Sequence, residues 1–415
     1  MAAAVSSAPP LFSHASLEGG NIGPSILETL EQLRSAGKDQ LAKEFTVRAE
    51  QRSTIRHDEW QVDFASEIPV IDLSLLQTDR AGVMKQIHEA VTEWGFFHIL
   101  NHGIPLELLQ GTRAHGLEFF ALPSDIKRKA TAQPGQIVGY NGDSSKMAGT
   151  NLFWAENLYF NSVYLETMIN QVWPDGNEAF RDTLSKYASD AEKTGKQLLE
   201  LIAESLGLPT DFFSRHYGRK GNNFRFNMYP ACPTPMETMG VVSHSDPTCV
   251  TLLLQDNVGG LQIEKDGRWV AVKPIEGSLV VNIGDMLHAW SNGICKSVLH
   301  RGVVNKEVHR LSLADFIYVA EDIPISAPEE LIDATHPRQY RTFTIKEYKA
   351  DYFSRVKEKR SYGVHVLQED FKFEKLSARS EEVGNEEIYG EVKNCEWTCL
   401  NESLKLSNQN FEAKS

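Results

Sequence analysis

The chain has 415 residues, of which 41% are hydrophobic and 24% are charged, and its formal net charge is −14. This composition is typical of a globular protein that is long enough for one large core or two domains. The acidic balance, without a dense cluster of lysine and arginine, argues against nucleic acid as a partner. No apolar run approaches the roughly 20 residues that a membrane-spanning helix needs, so a membrane is not an expected partner either.

The N-terminus and the cysteines indicate the compartment. Residues 1–21 contain no lysine or arginine and no long apolar segment, so they lack the features of a secretory signal and of a transit peptide. The five cysteines are scattered, which is typical of a reducing compartment, and Cys395 and Cys399 have no further zinc ligands nearby. We therefore expect a cytoplasmic protein, and we expect it to be a monomer.

Helical patterns dominate the first half of the chain. Apolar residues recur there at steps of three and four, and short β-rich runs lie between the helical segments. In chain order we expect a loose leader over residues 1–24, a helix from Ser25 to about Arg52, a strand over 67–73, a helix over 80–93, a buried strand over 95–100, a helix from about Leu106 to Phe120, and a long amphipathic helix whose apolar stripe runs from Phe180 to Ile202.

After Gly221 the pattern changes to short β-rich runs separated by glycine, proline and asparagine. Asp266 and Gly267 between two of these runs predict a type I′ hairpin, because that turn requires positive φ. Many short strands of this kind indicate a jelly-roll barrel. The expected runs are 224–229, 241–243, 250–254, 261–264, 269–272, 278–283, 297–304 and 311–319.

A last helix and an acidic tail are expected after the barrel. Thr344 and Glu347 have the spacing of a capping box at the start of a helix over 345–359. The predicted fold class is α+β, with a double-stranded β-helix (jelly-roll) core and N-terminal and flanking helices. The expected division is a leader and helix over 1–66, an N-terminal helical and β part over 67–220, the jelly-roll core over 221–360, and a mostly disordered tail over 366–415.

His244 and Asp246 are candidate metal ligands. They stand two residues apart at the end of a predicted strand, so their side chains point the same way. A third ligand from a separate strand would complete a face of two histidines and one carboxylate, which leaves three positions of an octahedral ion open. His300, 54 residues after Asp246 in the same β-rich region, is the preferred third ligand. His288 and His309 compete with it from less suitable segments.

Arg310 and Ser312 form a second pair at i and i+2, ten residues after His300. A guanidinium beside a hydroxyl is suited to bind a carboxylate through charge-assisted hydrogen bonds. A pocket with an open metal face and such a clamp fits a 2-oxo diacid, with one end on the metal and the other end in the clamp.

The order of these motifs resembles the plant-type 2-oxoglutarate-dependent dioxygenase family over roughly residues 67–360. Residues 227–233 resemble its Asn-x-Tyr-Pro-x-Cys segment, and residues 67–74, 94–97 and 101–103 resemble its N-terminal signatures. The resemblance implies that iron(II) is bound by His244, Asp246 and His300 as the catalytic residues. It also implies that the distal carboxylate of 2-oxoglutarate is bound by Arg310 and Ser312, that Tyr229 adds a hydroxyl, and that Asn227 lies near the iron end.

The resemblance implies an enzyme that consumes 2-oxoglutarate and O₂ and releases succinate and CO₂ while it hydroxylates or desaturates a small molecule, with ascorbate as a supporting reductant. Residues 277–285, 291–293 and 296–301 resemble the gibberellin oxidases, as do residues 153–156 and 172–174. This implies a hydrophobic diterpenoid acid as substrate, such as a gibberellin or kaurenoic acid, in plant specialised metabolism. Flavonoid synthases and hydroxylases share most of these motifs, so a flavonoid is the alternative. Phe316, Tyr140 and Phe153 are candidate substrate contacts and fit a core position equally well.

Two other classes of protein stay open at this point. A barrel could use the same three ligands for zinc-dependent hydrolysis, although that chemistry gives no reason for Arg310 and Ser312. A cupin-like binding protein is the second class, against which the intact metal motif argues. Relatives of 1-aminocyclopropane-1-carboxylate oxidase and isopenicillin N synthase keep both motifs without consuming 2-oxoglutarate, and the stoichiometry of the reaction distinguishes them.

Overall fold

The computed structural model describes residues 25–38, 45–47, 68–132, 138–142, 153–217 and 223–348. Its helices are α1 (Ile26–Ser35), α2 (Arg80–Glu89), α3 (Leu106–Ala121), α4 (Ser124–Lys127), α5 (Leu165–Val172), α6 (Glu178–Ser205) and α7 (Asp285–Trp290), and a further helix begins at Ile345. Its strands are β1 (Val70–Asp72), β2 (Phe96–Leu100), β3 (Gly139–Asn141), β4 (Glu156–Asn161), β5 (Asn223–Tyr229), β6 (Val241–His244), β7 (Val250–Gln255), β8 (Leu261–Lys265), β9 (Arg268–Ala271), β10 (Leu279–Ile283), β11 (His300–Gly302), β12 (Arg310–Ile317), β13 (Pro324–Ile325) and β14 (Phe343–Thr344). None of the helices in this part of the chain combines the length and the apolar character that crossing a bilayer requires.

Two sheets pack on one another to make the barrel. The larger sheet has the strand order β1-β2-β10-β7-β12-β5-β4-β3, and the smaller sheet has the order β6-β11-β8-β9. One apolar cluster joins them, because Phe96 and Val280 of the larger sheet meet Leu261, Ile263 and Val270 of the smaller sheet. The helices α3 and α6 pack against β12 from outside. This arrangement confirms the predicted α+β class with a double-stranded β-helix core and flanking helices.

Strand β12 has one face on the helices and one face on the barrel interior, and all its residues are buried. Leu311, Leu313 and Ile317 belong to the main apolar core. Helix α6 approaches so closely that a Cβ at Gly195 would lie 2.0 Å from Cδ1 of Ile317. Because side chains alternate along a strand, the interior face is formed by Arg310, Ser312, Ala314 and Phe316.

Several local predictions are confirmed. Asp266 and Gly267 have φ values of 53° and 76°, as a type I′ hairpin between β8 and β9 requires. The capping box is present, because the Glu347 N–H donates to Thr344 Oγ1 at 3.2 Å and the Thr344 N–H donates to Glu347 Oε2 at 2.7 Å. The apolar stripe of α6 is fully buried and consists of Phe180, Leu184, Tyr187, Ala191, Leu198 and Ile202.

The predicted extent of the first helix is wrong. It begins with a capping box of Ser25 and Glu28, but it ends at Ser35 instead of continuing to about residue 52. Gly37 adopts a left-handed φ of 61°, and the Lys38 N–H donates back to a carbonyl of the last turn at 2.9 Å. A glycine in this conformation terminates a helix even where the apolar spacing continues. The predicted leader, the later part of the closing helix and the tail over 366–415 lie outside the described residues.

A buried ion pair ties α1 to the barrel. Lys127 Nζ lies 2.8 Å from Glu156 Oε2, and both side chains are at most 1% exposed. Lys127 also donates to the carbonyl of Phe120 at 3.1 Å. Glu156 accepts from the Tyr140 hydroxyl at 2.7 Å and from the Leu27 N–H at 2.8 Å. The pair is therefore well supplied with hydrogen bonds, which a buried pair needs to offset the cost of desolvation.

We expect Lys127→Met to destabilise the fold by about 3–5 kcal/mol, because the substitution leaves Glu156 buried without its cation. The free energy of unfolding from urea denaturation measures this loss. Lys85→Met is the matched control, because Lys85 pairs with Glu89 at 3.7 Å on an exposed helix face. The control should change stability by less than about 1 kcal/mol. Equal effects of the two substitutions would contradict the assigned role of the buried pair.

Candidate active site

Three potential metal ligands converge between the two sheets. His244 ends β6, His300 begins β11, and the antiparallel register places these two residues directly opposite each other. Asp246 follows two residues after His244, and its Oδ1 lies 3.6 Å from His244 Nε2 and 3.7 Å from His300 Nε2. One ligand atom from each residue lies within 4.8 Å of the other two. A single ion can therefore contact all three side chains.

Backbone carbonyls orient both imidazoles. His244 Nδ1 lies 2.9 Å from the carbonyl of Val242, and His300 Nδ1 lies 3.1 Å from the carbonyl of Val298. Because a carbonyl only accepts, each Nδ1 carries a proton and each Nε2 can offer its lone pair to a metal. Burial, followed by the proximity of His300, lowers the pKa of His244 to about 4. His244 is therefore neutral at pH 7, which is the form that binds a metal.

Two side chains from the larger sheet hold the carboxylate of Asp246. Thr251 Oγ1 donates to Oδ2 at 2.7 Å, and Asn282 Nδ2 donates to the same oxygen at 2.8 Å. The other oxygen, Oδ1, is the one nearest the two histidines. Burial alone would raise the pKa of Asp246, but the two histidines and the two hydrogen bonds outweigh burial and lower this pKa. At neutral pH Asp246 is thus an ionised ligand with a fixed orientation.

A second carboxylate, Asp285, supports the loop that carries the ligands. Its backbone N–H donates to the carbonyl of Asp246 at 2.8 Å. Its side chain is fully buried and accepts from Ser245 Oγ at 3.0 Å and from Ser297 Oγ at 2.6 Å. The hydroxyl of Tyr348 donates to it at 2.6 Å. The network connects the ligand loop with the segment before β11 and with the closing helix.

Sequence analysis missed Thr251, Asn282 and Asp285. A usable signal existed for Asn282, because it is the one polar residue in the strand sequence LVVNI of β10. A polar side chain inside an apolar strand needs a hydrogen-bond partner when the strand is buried. That rule predicts a partner for Asn282, but the identity of the partner depends on the register of β10 with its neighbours.

The competing histidines have other contacts. His288 Nε2 lies 2.9 Å from the Tyr340 hydroxyl, and its Nδ1 lies 2.5 Å from the carbonyl of Cys295. His309 Nδ1 accepts from the Ala231 N–H at 3.2 Å. The structure brings neither of them into the ligand cluster, which within the described residues comprises His244, Asp246 and His300.

Arg310 and Ser312 face the barrel interior from β12, opposite Tyr229 and Asn227 of β5. The guanidinium carbon of Arg310 lies 5.0 Å from the ring centre of Tyr229, and Arg310 Nη2 donates to Gln255 Oε1 at 3.3 Å. Within the described part of the chain, Arg310 Nε is buried and has no hydrogen-bond partner. A buried donor without a partner costs about 1–3 kcal/mol, which an oxygen of a bound ligand would remove.

Glycines leave space for this clamp. Gly260 has a φ of 137°, and a Cβ on it would lie 2.7 Å from Cδ of Arg310. A Cβ on Gly240 would lie 2.4 Å from the ring of Tyr229. Asn227 lies on the same face of β5 as Tyr229, where its amide contacts Arg225. The loops that carry the two glycines therefore approach the clamp residues as closely as backbone allows.

The three candidate substrate contacts are not brought together. Phe316 lies on the inner face of β12 and stacks on Tyr159, with ring centres 6.1 Å apart. Tyr140 belongs to the buried ion-pair cluster beneath α1. Phe153 is half-buried against the apolar cluster that contains Val242. Of the three, Phe316 therefore lies on the barrel face that also carries Arg310 and Ser312.

Comparison with known proteins identifies the family. Residues 220–318 match the model of the 2OG-Fe(II) oxygenase superfamily, and residues 68–176 match that of the non-haem dioxygenase N-terminal region described from morphine synthesis. Jasmonate-induced oxygenase 4 of Arabidopsis thaliana is 34% identical over 79% of this chain and 93% of its own length. The chain belongs to the 2OG-Fe(II) oxygenase superfamily and is a 2-oxoglutarate-dependent dioxygenase.

The names of other relatives refer to different substrates. Flavanone 3-dioxygenase 2 of Oryza sativa subsp. japonica is 35% identical over 70% of this chain and 84% of its own length. Gibberellin 20 oxidase 1-B of Triticum aestivum is 36% identical over 68% of this chain and 82% of its own length. A solved structure of JOX2 in complex with 2OG, Fe and JA is 31% identical, has a TM-score of 0.66, and matches 77% of this chain and 92% of that chain. The protein is thus an iron(II)- and 2-oxoglutarate-dependent oxidoreductase that acts on a small molecule.

The residues present fit the cofactors of this family. Two Nε2 atoms and one carboxylate oxygen form the donor set that iron(II) takes in oxygenases with open coordination positions. The unpartnered Nε of Arg310 is suited to the carboxylate of 2-oxoglutarate, because a guanidinium binds such a group through more than one N–H. Membership of this oxygenase family argues against the two alternatives, zinc-dependent hydrolysis and a cupin-like binding role.

We expect Thr251→Val to weaken metal binding about 10–100-fold, because it removes a hydrogen bond that orients Asp246. Anaerobic titration with iron(II) or manganese(II) measures the affinity. Thr78→Val, on an exposed turn, is the matched control and should leave the affinity unchanged. Equal metal affinities of the two variants would show that this bond does not orient the ligand.

Proposed function

We propose that His244, Asp246 and His300 bind iron(II) and that Arg310 and Ser312 bind the distal carboxylate of 2-oxoglutarate. The observation that carries this proposal is the convergence of two free Nε2 atoms on one carboxylate oxygen, in a barrel that also contains the clamp. When bound, iron and 2-oxoglutarate supply the oxidative chemistry: 2-oxoglutarate is decarboxylated to succinate while O₂ oxidises a C–H bond of the substrate.

The protein's own groups prepare this reaction. The backbone carbonyls of Val242 and Val298 accept hydrogen bonds from the imidazole Nδ1 atoms, which leaves both Nε2 atoms unprotonated. The hydrogen bonds from Thr251 and Asn282 fix the orientation of the Asp246 carboxylate. Tyr229 is proposed to add its hydroxyl to the clamp, next to Arg310. Asn227 is proposed to line the cavity between the clamp and the metal. Burial of these groups excludes water and strengthens their electrostatic interactions with charged ligands.

We propose a hydrophobic diterpenoid acid, of the gibberellin or kaurenoic-acid type, as the substrate. The similarity to a gibberellin 20 oxidase supports this choice, as do the gibberellin-oxidase-like segments at 277–285 and 296–301. A flavonoid is the second candidate, supported by the comparable similarity to a flavanone 3-dioxygenase. Phe316 and Tyr159 are proposed to form an aromatic wall for either substrate.

We also propose that the enzyme is a cytoplasmic monomer. Three of its cysteines, Cys232, Cys249 and Cys295, are buried as free thiols, which suits a reducing compartment. Burial raises the pKa of Cys232 to about 11 and that of Cys249 and Cys295 to about 12, so these thiols stay protonated and unreactive. Size-exclusion chromatography with light scattering tests the monomer.

We expect His244→Ala and Asp246→Ala to abolish succinate formation without unfolding the protein, because each removes one of three metal ligands. Succinate release under O₂ and circular dichroism measure the two properties. His336→Ala is the matched control, because the exposed side chain of His336 pairs with the exposed Asp333 at 3.0 Å. Substantial succinate formation by either ligand variant would contradict the assignment of the metal site.

We expect Arg310→Lys to raise the 2-oxoglutarate KM by about tenfold or more, because an ammonium replaces a planar fork in a bidentate contact. Steady-state kinetics at varied 2-oxoglutarate measure this change, with the iron(II) affinity as an internal control. An unchanged KM for 2-oxoglutarate would contradict the clamp assignment.

A screen of kaurenoic acid, a gibberellin and a flavanone with iron(II), ascorbate and 2-oxoglutarate tests the substrate class. We expect an oxidised diterpenoid acid, detected by mass spectrometry as a gain of oxygen or a loss of two hydrogens, with succinate in equal amount. Oxidation of the flavanone alone would favour the second candidate, and an oxidised product without succinate would contradict 2-oxoglutarate as cosubstrate.

A further inference from the structure

Arg225 is a cation on the inner face of the barrel that the metal and 2-oxoglutarate sites do not use. It lies on β5 between Asn223 and Asn227, and the registers place it directly opposite Tyr159 of β4 and Ala314 of β12. Residues that lie opposite each other in antiparallel strands point to the same side of the sheet. Arg225 therefore shares its face with the clamp residues of β12 and with the proposed aromatic wall.

The inner face of these strands is partly exposed to solvent, whereas the opposite face of the same strands is buried. Along β4 the outward side chains Glu156, Leu158 and Phe160 are buried, whereas the alternate inward side chains are half-buried. Arg225 and Leu253, which also lie on the inner face, are half-buried as well. The exposure confined to inward positions indicates a cavity beside the metal ligands, and Arg225 lines this cavity.

The guanidinium of Arg225 has polar contacts but no counterion within the described residues. Its Nε donates to Asn227 Oδ1, and its Nη1 donates to the Tyr159 hydroxyl at 3.2 Å. The guanidinium carbon also lies 5.4 Å from the ring centre of Tyr159. No described carboxylate forms an ion pair with Arg225. Arg310 differs in this respect, because its charge acts to lower the pKa of the nearby Asp256, although burial raises that pKa overall. These contacts fix the orientation of Arg225 and leave Nη2 without a partner in the described part of the chain.

The electrostatic environment keeps Arg225 charged. Burial acts to lower its pKa, but Tyr159, Tyr229 and Asp246 outweigh burial and raise the pKa above its ordinary value. A cation held in a partly desolvated cavity is costly unless an anion compensates it. Asp246 is already bound by Thr251 and Asn282 and faces the two histidines, so it is not available as a direct partner.

We infer that Arg225 binds a carboxylate of the substrate, so that the cavity selects a hydrophobic organic acid over a neutral molecule of similar size. This inference rests on the proposed function and deepens it, because it distinguishes the diterpenoid acid from the flavonoid. Tyr159 positions the guanidinium, and Phe316 stacked on Tyr159 gives the hydrocarbon part of the acid an apolar surface.

The two arginines serve separate carboxylates. Arg310 lies opposite Tyr229, which is four residues beyond Arg225 along β5, so the two positions are about 13 Å apart along the strand. Asn227 and Ser312, which lie opposite each other, occupy the inward level between the two arginines. The substrate acid and 2-oxoglutarate can therefore bind together, as a reaction that consumes both requires.

The test compares acids with their methyl esters, because esterification removes the charge and keeps the hydrocarbon skeleton. Kaurenoic acid, a gibberellin and jasmonic acid are each titrated with their methyl esters into the full-length protein, loaded anaerobically with iron(II) and 2-oxoglutarate. Calorimetry gives the Kd values. We expect at least one acid to bind about tenfold or more tightly than its ester, as a charge-assisted hydrogen bond implies. We expect Arg225→Met to reduce this ratio to about one and Arg225→Lys to retain part of it.

The acid-to-ester ratio separates recognition from a structural role. If Arg225 only supports Asn227, the Arg225→Met variant will weaken acid and ester equally and keep the ratio, which would overturn the inference. A wild-type protein that binds no acid in preference to its ester would overturn it as well. Lys196→Met, on the exposed face of α6, is the charge-matched control and should keep the ratio. Binding of 2-oxoglutarate to the iron(II)-loaded wild type is measured in parallel without any acid, and its absence would count against the proposed function itself.

Discussion

The active site depends on how one carboxylate, Asp246, is shared between two sheets. One of its oxygens accepts hydrogen bonds from Thr251 and Asn282 of the larger sheet. The other oxygen faces His244 and His300 of the smaller sheet. Desolvation of an ionised carboxylate is costly, and only this set of donors and neighbouring imidazoles makes its burial favourable. The packing of the two sheets and the geometry of the metal ligands are therefore one constraint.

Strand register makes this constraint strict. A shift of β11 by one residue against β6 would turn His300 away from the barrel and bring Arg301 into its place. Arg301 is buried on the other side of the strand, where it hydrogen-bonds to Gln262 at 2.8 Å and lies 3.9 Å from the ring centre of Trp269. The contacts of Arg301 thus stabilise the register that the metal ligands require. The network around Asp285 supports the same loop from the outside.

The barrel interior combines these ligands with an ordered distribution of charge. The imidazole of His244 is neutral, Asp246 is anionic, and Arg310 and Arg225 supply cations at different heights of the larger sheet. Such an interior is expected to favour ligands that carry carboxylates, because two cations face it from adjacent strands. The apolar side chain of Leu253 lies at the level of Arg225, and that of Phe316 lies one inward position further from Arg310.

Much of the site was accessible from sequence because strand geometry is regular. Spacing at i and i+2 predicted that His244 and Asp246 share a direction, and the same rule applied to Arg310 and Ser312. Spacing could not predict the end of the first helix, where a single left-handed glycine at position 37 outweighs an apolar pattern that continues. Spacing also could not predict that Tyr140 lies with Lys127 and Glu156 in a buried cluster formed by distant segments. A contact between Tyr140 and the substrate stays a prediction.

The fold class, the types of metal donor and their order along the chain follow from local periodicity and from the chemistry of single side chains, so they can be predicted from sequence. Which atoms meet depends on long-range packing. The pairing of His300 with His244, the two hydrogen bonds on Asp246, and the inward direction of Arg225 arise from contacts between residues that lie far apart in the chain. Their free energies depend on burial and on the neighbouring strand, and neither is encoded in the spacing of residues along one segment.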